Sequence, residues 1–209
     1  MKISRTVHWR NWAAGFKKLT TGEKSQTGTG RKWTERIGRL MHQLATDLNF
    51  RCSGRGCKKN KSESKKEFWE IDFTWYAEQV WENLPDPRNP LSGLTLMPPQ
   101  AAIEHENVTA WWKLCYCYWR LRHLNSGLRV LIGYPRDETP CPLGCAPDER
   151  HDPRACFARF LADRVSRSSS DHMIGQDLLV LGLADARSLA GAAYRYFELS
   201  NGSFKERDV

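Results

Sequence analysis

Apolar residues recur along the chain with two different periods, and these assign most of its elements. Ile37, Leu40, Met41, Leu44 and Leu48 follow helical spacing, which predicts a helix over 33–49 with Thr34 as its N-cap. Trp9, Trp12 and Phe16 could share one face of a short helix before it. Residues 68–76 alternate instead: Ile71, Phe73 and Trp75 face one way, and Glu70, Asp72 and Thr74 the other, as on a strand. Ala101-Ala102-Ile103-Glu104-His105-Glu106, set between Pro99 and Asn107, reads as a short strand. A helix over 109–123 puts Trp111, Leu114, Cys115, Tyr118 and Leu121 on one side. Leu128–Tyr134 is a β-branched and aliphatic run with a Gly-Tyr-Pro stop, the pattern of a buried strand. Phe157, Phe160, Leu161 and Val165 stripe a helix over 153–166, and Asp177–Leu183 and Ala192–Leu199 are further strands.

The breaks fall where glycine, proline and serine cluster. Thr20-Thr21-Gly22 and Gly28-Thr29-Gly30 interrupt the first stretch. Residues 51–66 read as a loop, Leu84–Pro90 as a turn-rich insertion, and 94–97 as a strand ended by Pro98-Pro99. Cys141–Pro153 is a loop, and Arg167-Ser168-Ser169-Ser170 ends the last helix. The order helix, strands, helix, strand, helix, strands predicts an α/β (α+β) domain built on a central mixed sheet flanked by helices. Residues 1–32 read as a polar N-terminal extension. Residues 33–209 read as one domain with a basic loop at 51–66 and a C-terminal helix–strand–strand extension.

Composition narrows the class. Of 209 residues, 40% are hydrophobic and 27% charged, as in globular proteins. No apolar run approaches the ~18–20 residues of a membrane span. Met1-Lys2-Ile3-Ser4-Arg5 lacks the apolar core of a signal peptide, so a cytoplasmic protein without membrane contact is expected. The net charge is +8, and residues 51–66 alone carry +6 of it. Arg51, Arg55, Lys58, Lys59, Lys61, Lys65 and Lys66 would attract a polyanion such as nucleic acid by counterion release. This run leads straight into the strand that bears Asp72.

The candidate chemistry lies on the two acidic strands. With a period of two, Glu104 and Glu106 share a face, and Ile103 and His105 take the other. If this strand pairs with the strand of Asp72, three or four carboxylates converge. Such a cluster repels itself unless a cation neutralises it, and hard oxygen ligands suit Mg²⁺ or Mn²⁺. His105, on the other face, is expected to pack or hydrogen-bond.

An acid on one strand, Glu-x-Glu on a later one, then a helix and a buried strand resembles the PD-(D/E)xK nuclease superfamily. The resemblance covers roughly residues 33–134 and rests on Asp72 and Glu104, with Glu106 where the family usually has lysine. It implies a restriction-endonuclease-like fold and metal-dependent endonuclease activity, hydrolysing phosphodiester bonds of nucleic acid, with DNA the expected substrate. A restriction or phage-defence role and a homodimer would suit such an enzyme. Asp72 and Glu104 would be metal ligands, and Glu106 a ligand or base. Lys113 could reach the cluster from the following helix in place of the missing lysine, and Glu35 is the candidate first-helix metal ligand. Arg120, on the same side as Lys113, could meet a phosphate. The 32 residues between Asp72 and Glu104 are more than the family's motif needs, so the proline-rich insertion must loop out.

Two other readings start from different residues. Seven cysteines cannot all pair within one chain, and Cys115 and Cys117 in the aromatic helix suit free thiols. Cys52-x4-Cys57 and Cys141-x3-Cys145 could supply four thiolates to a structural Zn²⁺, with Cys156 and His151 as spare ligands. The chain could instead be a non-catalytic nucleic-acid-binding protein, a degenerate nuclease fold or a zinc-stabilised basic module, stacking bases on some of its nine tryptophans. Trp75, Trp111 and Trp119 lie among apolar neighbours and are expected in the core.

Overall fold

The computed structural model describes residues 7–22, 30–54, 71–77, 98–138, 141–145, 151–166, 175–186 and 189–209. Seven strands form one sheet in sequence order: β1 (Arg51–Gly54), β2 (Phe73–Tyr76), β3 (Ala101–Glu106), β4 (Leu128–Gly133), β5 (Gln176–Leu181), β6 (Arg195–Ser200) and β7 (Ser203–Arg207). The β3–β4 and β4–β5 pairs are parallel and the other four are antiparallel. Among the described residues, four α-helices flank the sheet: α1 (Trp9–Thr21), α2 (Gly30–Asp47), α3 (Trp111–Arg122) and α4 (Pro153–Ser166). The chain is thus α+β with a mixed central sheet.

Parallel neighbours need crossover connections, and α3 and α4 supply them. Both pack on one face, as two successive crossovers of the same hand must. The other face carries α1 and α2. β4 is therefore covered on both sides and buried along its whole length, which explains why every residue but Arg129 is apolar. Among the described residues, no helix is long and apolar enough to cross a membrane.

The polar opening of the chain contains a core helix. Trp9, Trp12, Ala13 and Phe16 of α1 are buried against Ile37, Met41 and Leu44 of α2 and against Trp75. The helix is therefore part of the domain, and residues 1–32 are not simply an extension. Its buried stripe is the expected Trp9, Trp12 and Phe16, and the polar residues around it made the segment read as an extension. α2 ends where Asn49 takes φ +62, with Phe50 N donating to Ala45 O and Asn49 N to Thr46 O, the paired bonds of a Schellman cap.

Other boundaries also shift. The expected loop begins with a strand, Arg51–Gly54, paired to β2. Residues 190–192 form a 3₁₀ turn, so β6 starts only at Arg195. A seventh strand follows it through Asn201-Gly202, both at positive φ, the signature of a two-residue hairpin turn. The expected strand at 94–97, the insertion at 84–90, Glu70 and Arg167–Ser170 lie outside the described residues.

Candidate functional site

The geometry of the acidic site starts from a glycine. Gly54 has φ +141, and a Cβ there would lie 2.0 Å from Asp72 O. Only glycine lets β1 press this closely on the backbone at Asp72. The chain bends at Asp72, one residue before β2 begins, and the β2–β3 ladder stops at Phe73↔Ile103. Asp72 Oδ2 continues that contact by accepting the His105 amide at 2.9 Å. Extending the register by one position sets Asp72 opposite Glu104, and their carboxyls share a hydrogen bond.

Both point toward α3. Glu104 is only 1% exposed, and its Oε1 lies 2.6 Å from Arg120 Nη2. The approach is off the hydrogen-bonding direction, so Oε1 is buried without an aligned hydrogen bond. Burial, and then the Asp72 charge, raise the Glu104 pKa to about 9, with Arg120 opposing. Without a further cation, this carboxyl keeps its proton at neutral pH. A buried carboxyl oxygen without an aligned hydrogen bond, beside a second carboxyl, fits a hard divalent ion.

Glu106 projects from the same face but is already engaged. Its Oε1 accepts Val108 N at 2.8 Å, and its Oε2 accepts Cys117 Sγ at 3.4 Å. Lys113 Nζ stands 4.0 Å from that second oxygen. Arg120 is thus the helix cation at Glu104, and Lys113 the one at Glu106. Burial, Glu104 and Glu106 push the Cys117 thiol up to about 12, so it stays protonated.

His105 faces the opposite side, as the alternation requires. Its Nε2 meets Tyr134 OH at 3.1 Å, and Tyr134 OH also accepts Trp33 Nε1 at 2.7 Å and contacts Tyr194 OH at 2.8 Å. Complete burial lowers its pKa to about 3, so it is neutral. The carboxy-terminal end of β3 is tied to α2 by Asn107 Nδ2 donating to Thr34 Oγ1 at 2.6 Å. Glu35 follows Thr34 on that helix, in the layer across the sheet from the carboxylates.

Of the basic loop, Arg51 is described, exposed on β1. Arg55, Lys58, Lys59, Lys61, Lys65 and Lys66 lie outside the described residues. Trp75 and Trp111 are buried as expected. Trp119 is not: it is 57% exposed, beside Tyr116 at 46% and Trp112 at 71%. The helix turns these three away from the stripe formed by Trp111, Leu114, Tyr118 and Leu121.

The cysteines regroup. Cys52 is disulfide-bonded, which removes it from any thiolate set, and Cys57 lies outside the described residues. Cys115 and Cys117 carry free thiols. Cys141 and Cys145 instead meet Cys156 and His151, the two spare ligands, with all four donor atoms within 4.8 Å of one another. This Cys₃His cluster could hold a metal ion.

One further charged site escaped the sequence reading. Arg129 and Asp177, paired in register on β4 and β5, are each 2% exposed and joined Nε to Oδ1. Tyr118 OH of α3 donates to Asp177 Oδ2 at 2.6 Å. A single charge at matching depth in two otherwise apolar strand sequences was the available signal.

Comparison of the chain with family models, with curated proteins and with solved structures returns no match.

Proposed function

We propose that the chain is a divalent-metal-dependent nuclease acting on nucleic acid, with DNA the favoured substrate. The observation that carries this reading is the facing pair Asp72 and Glu104, the first half-buried and the second buried, with one Glu104 oxygen lacking an aligned hydrogen bond. They would hold Mg²⁺ or Mn²⁺ at the carboxy-terminal end of β3, where a parallel sheet opens to ligands. When bound, such an ion supplies Lewis-acid stabilisation of phosphoryl oxygens and a more nucleophilic water.

The chain's own groups divide the remaining work. Asp72 is fixed by the His105 amide and the close approach of Gly54. Glu104 would hold a cation only as the ionised carboxylate, its proton passing to solvent. Arg120 lies against Glu104 Oε1 and would be in reach of a phosphate oxygen at the same site. Glu106 orients the start of α3 through Val108 N and Cys117. The topology from α2 to β4 agrees with the order expected of the PD-(D/E)xK superfamily, with Arg120 as the cation nearest Glu104.

The test is cleavage of plasmid DNA, linear single-stranded DNA and RNA with Mg²⁺, Mn²⁺ or chelator. Wild type should cut at least one substrate only with metal, and Asp72→Asn and Glu104→Gln should both lose that cleavage. Absence of metal-dependent cleavage on all three sinks the proposal. A second reading draws on the exposed Trp112, Tyr116 and Trp119, which could stack on bases in a non-catalytic binder. Such a binder would need no divalent metal, would keep its affinity in Glu104→Gln, and would lose it in Trp112→Ala.

A further inference from the structure

The connection between β4 and α4 is built around a second, sulfur-rich site, remote in chemistry from the carboxylates. Cys141 and Cys145 are brought together by a tight turn. Gly144 N donates to Cys141 O at 2.8 Å, and Gly144 takes φ +70, with open space where a side chain would stand. Cys156 comes from the first turn of α4. That helix start is fixed independently of the cysteines. Pro153 occupies its first position, Asp152 Oδ1 accepts Arg154 N at 2.8 Å as a cap, and Arg195 of β6 pairs with Asp152 Oδ2.

The sulfur spacing identifies the chemistry. Cys145 Sγ and Cys156 Sγ are 3.6 Å apart. A disulfide needs about 2.05 Å. Two thiolates on one tetrahedral zinc, at Zn–S of about 2.3 Å, stand about 3.8 Å apart. The fourth donor is also oriented. His151 Nδ1 lies 2.7 Å from Asp137 Oδ1, while its Nε2 is buried without a hydrogen-bond partner. A carboxylate on one ring nitrogen that leaves the other facing three sulfurs is the outer-shell arrangement of a zinc histidine.

We propose that Cys141, Cys145, His151 and Cys156 bind one Zn²⁺ that staples the segment after β4 to the start of α4. Binding releases the thiol protons to solvent and leaves no open coordination position, so the site is structural. Its consequence is local. Pro142, inside the turn between the first two ligands, lines an open groove of about 770 Å³ between α3 and α4, together with Trp112, Phe160 and Arg164. The zinc would hold that wall in place.

Metal analysis of the full chain, expressed with zinc and purified without chelator, should find about one zinc per chain. Alkylation of the native protein should spare Cys141, Cys145 and Cys156 until a strong chelator is added. Asp137→Ala should weaken zinc roughly 10–100-fold in a chelator competition, and His151→Ala should weaken it at least as much. If Cys145→Ser does not fold, the wild-type alkylation pattern and the two non-cysteine variants still decide. A zinc-free chain whose three thiols react equally with and without chelator overturns the proposal. So does a native Cys145–Cys156 disulfide found by mass spectrometry. None of these readouts depends on cleavage, so they stand apart from the nuclease reading.

Discussion

Two buried acidic sites lie under the same helix, α3, and they are solved in opposite ways. At Asp177 the charges balance. Arg129 takes one carboxylate oxygen, Tyr118 the other, and Leu124 O accepts a further Arg129 N–H at 3.4 Å. At Glu104 the arrangement differs. Arg120 meets Oε1 without an aligned hydrogen bond, Asp72 faces the same carboxyl, and burial holds Glu104 protonated. A buried ion pair with both carboxylate oxygens hydrogen-bonded fixes the register of two strands. A buried carboxyl held protonated beside a second carboxyl has a use for a cation from outside.

The sharpest break of this comparison is in stability. Arg129→Met strands the Asp177 charge in the core and should cost about 3–5 kcal/mol in urea unfolding. Glu104→Gln removes a carboxyl that is already strained by its neighbour and should leave stability unchanged or raised at neutral pH. If the two variants lose stability equally, the distinction between a structural and a metal-ready site disappears.

pH separates the sites next. The folded chain holds the Glu104 proton up to about 9, whereas the unfolded chain releases it near 4.5. Between those values the folded state binds more protons, so stability should fall as pH rises through the window and level off above it. Glu104→Gln should flatten that alkaline slope, and Mn²⁺ should restore stability to wild type there. His105 works in the other direction. Its folded pKa of about 3 lies below the ordinary 6.5, so its contribution is lost as pH falls through that range. Thermal melts of wild type and Glu104→Gln across pH read the difference directly. An unchanged alkaline slope in the variant removes Glu104 as its source.

The sequence carried one of these sites far better than the other. Asp72 and Glu104 were legible because alternation and the order of elements both selected them. Arg129 and Asp177 were not, because each is a single charge inside a strand read as apolar, and only pairing across β4–β5 brings them together. The helix partners were half legible. Lys113 and Arg120 share a helix side by spacing, but which carboxylate each meets depends on where the crossover lays α3. The fold class emerged from periodicity, while α1 escaped into a supposed extension because its apolar stripe is short. The clustered cysteines were mis-grouped for the same reason that Asp177 was missed. Spacing along the chain favoured Cys52 and Cys57, whereas the fold gathers His151 and Cys156 around Cys141 and Cys145.

A smaller effect tests what fixes Asp72. Gly54→Ala would put a methyl 2.0 Å from Asp72 O at φ +141. The strain should cost more than about 1 kcal/mol. Displacing Asp72 should also reduce metal affinity, which a Mn²⁺ titration would measure. Gly175 is its counterpart at the other site, at φ +146, where a Cβ would lie 2.3 Å from Ser126 O and 3.3 Å from the Arg129 guanidinium nitrogens. A purely global loss in Gly54→Ala with unchanged metal affinity would show that Asp72 is placed by β3 alone.

The smallest effect concerns the two helix cations. Lys113 is about one-third exposed, 4.0 Å from Glu106, and its Nζ lies 5.2 Å from the Tyr116 ring centroid. A pair of that exposure contributes about 0–1 kcal/mol, and Glu106 keeps Val108 N and Cys117 as partners without it. Arg120 lies 5.4 Å from the same ring centroid and reaches Glu104. Lys113→Ala should therefore change the cleavage rate only a few-fold, and Arg120→Ala should lower it by roughly 10²-fold, as for loss of a positioned electrostatic group. The reverse order would return the lysine role to Lys113 and make Arg120 a counter-charge for Glu104 alone. Kinetics at saturating Mn²⁺ distinguish the two, because a cation needed only to balance the empty site becomes dispensable once metal is bound.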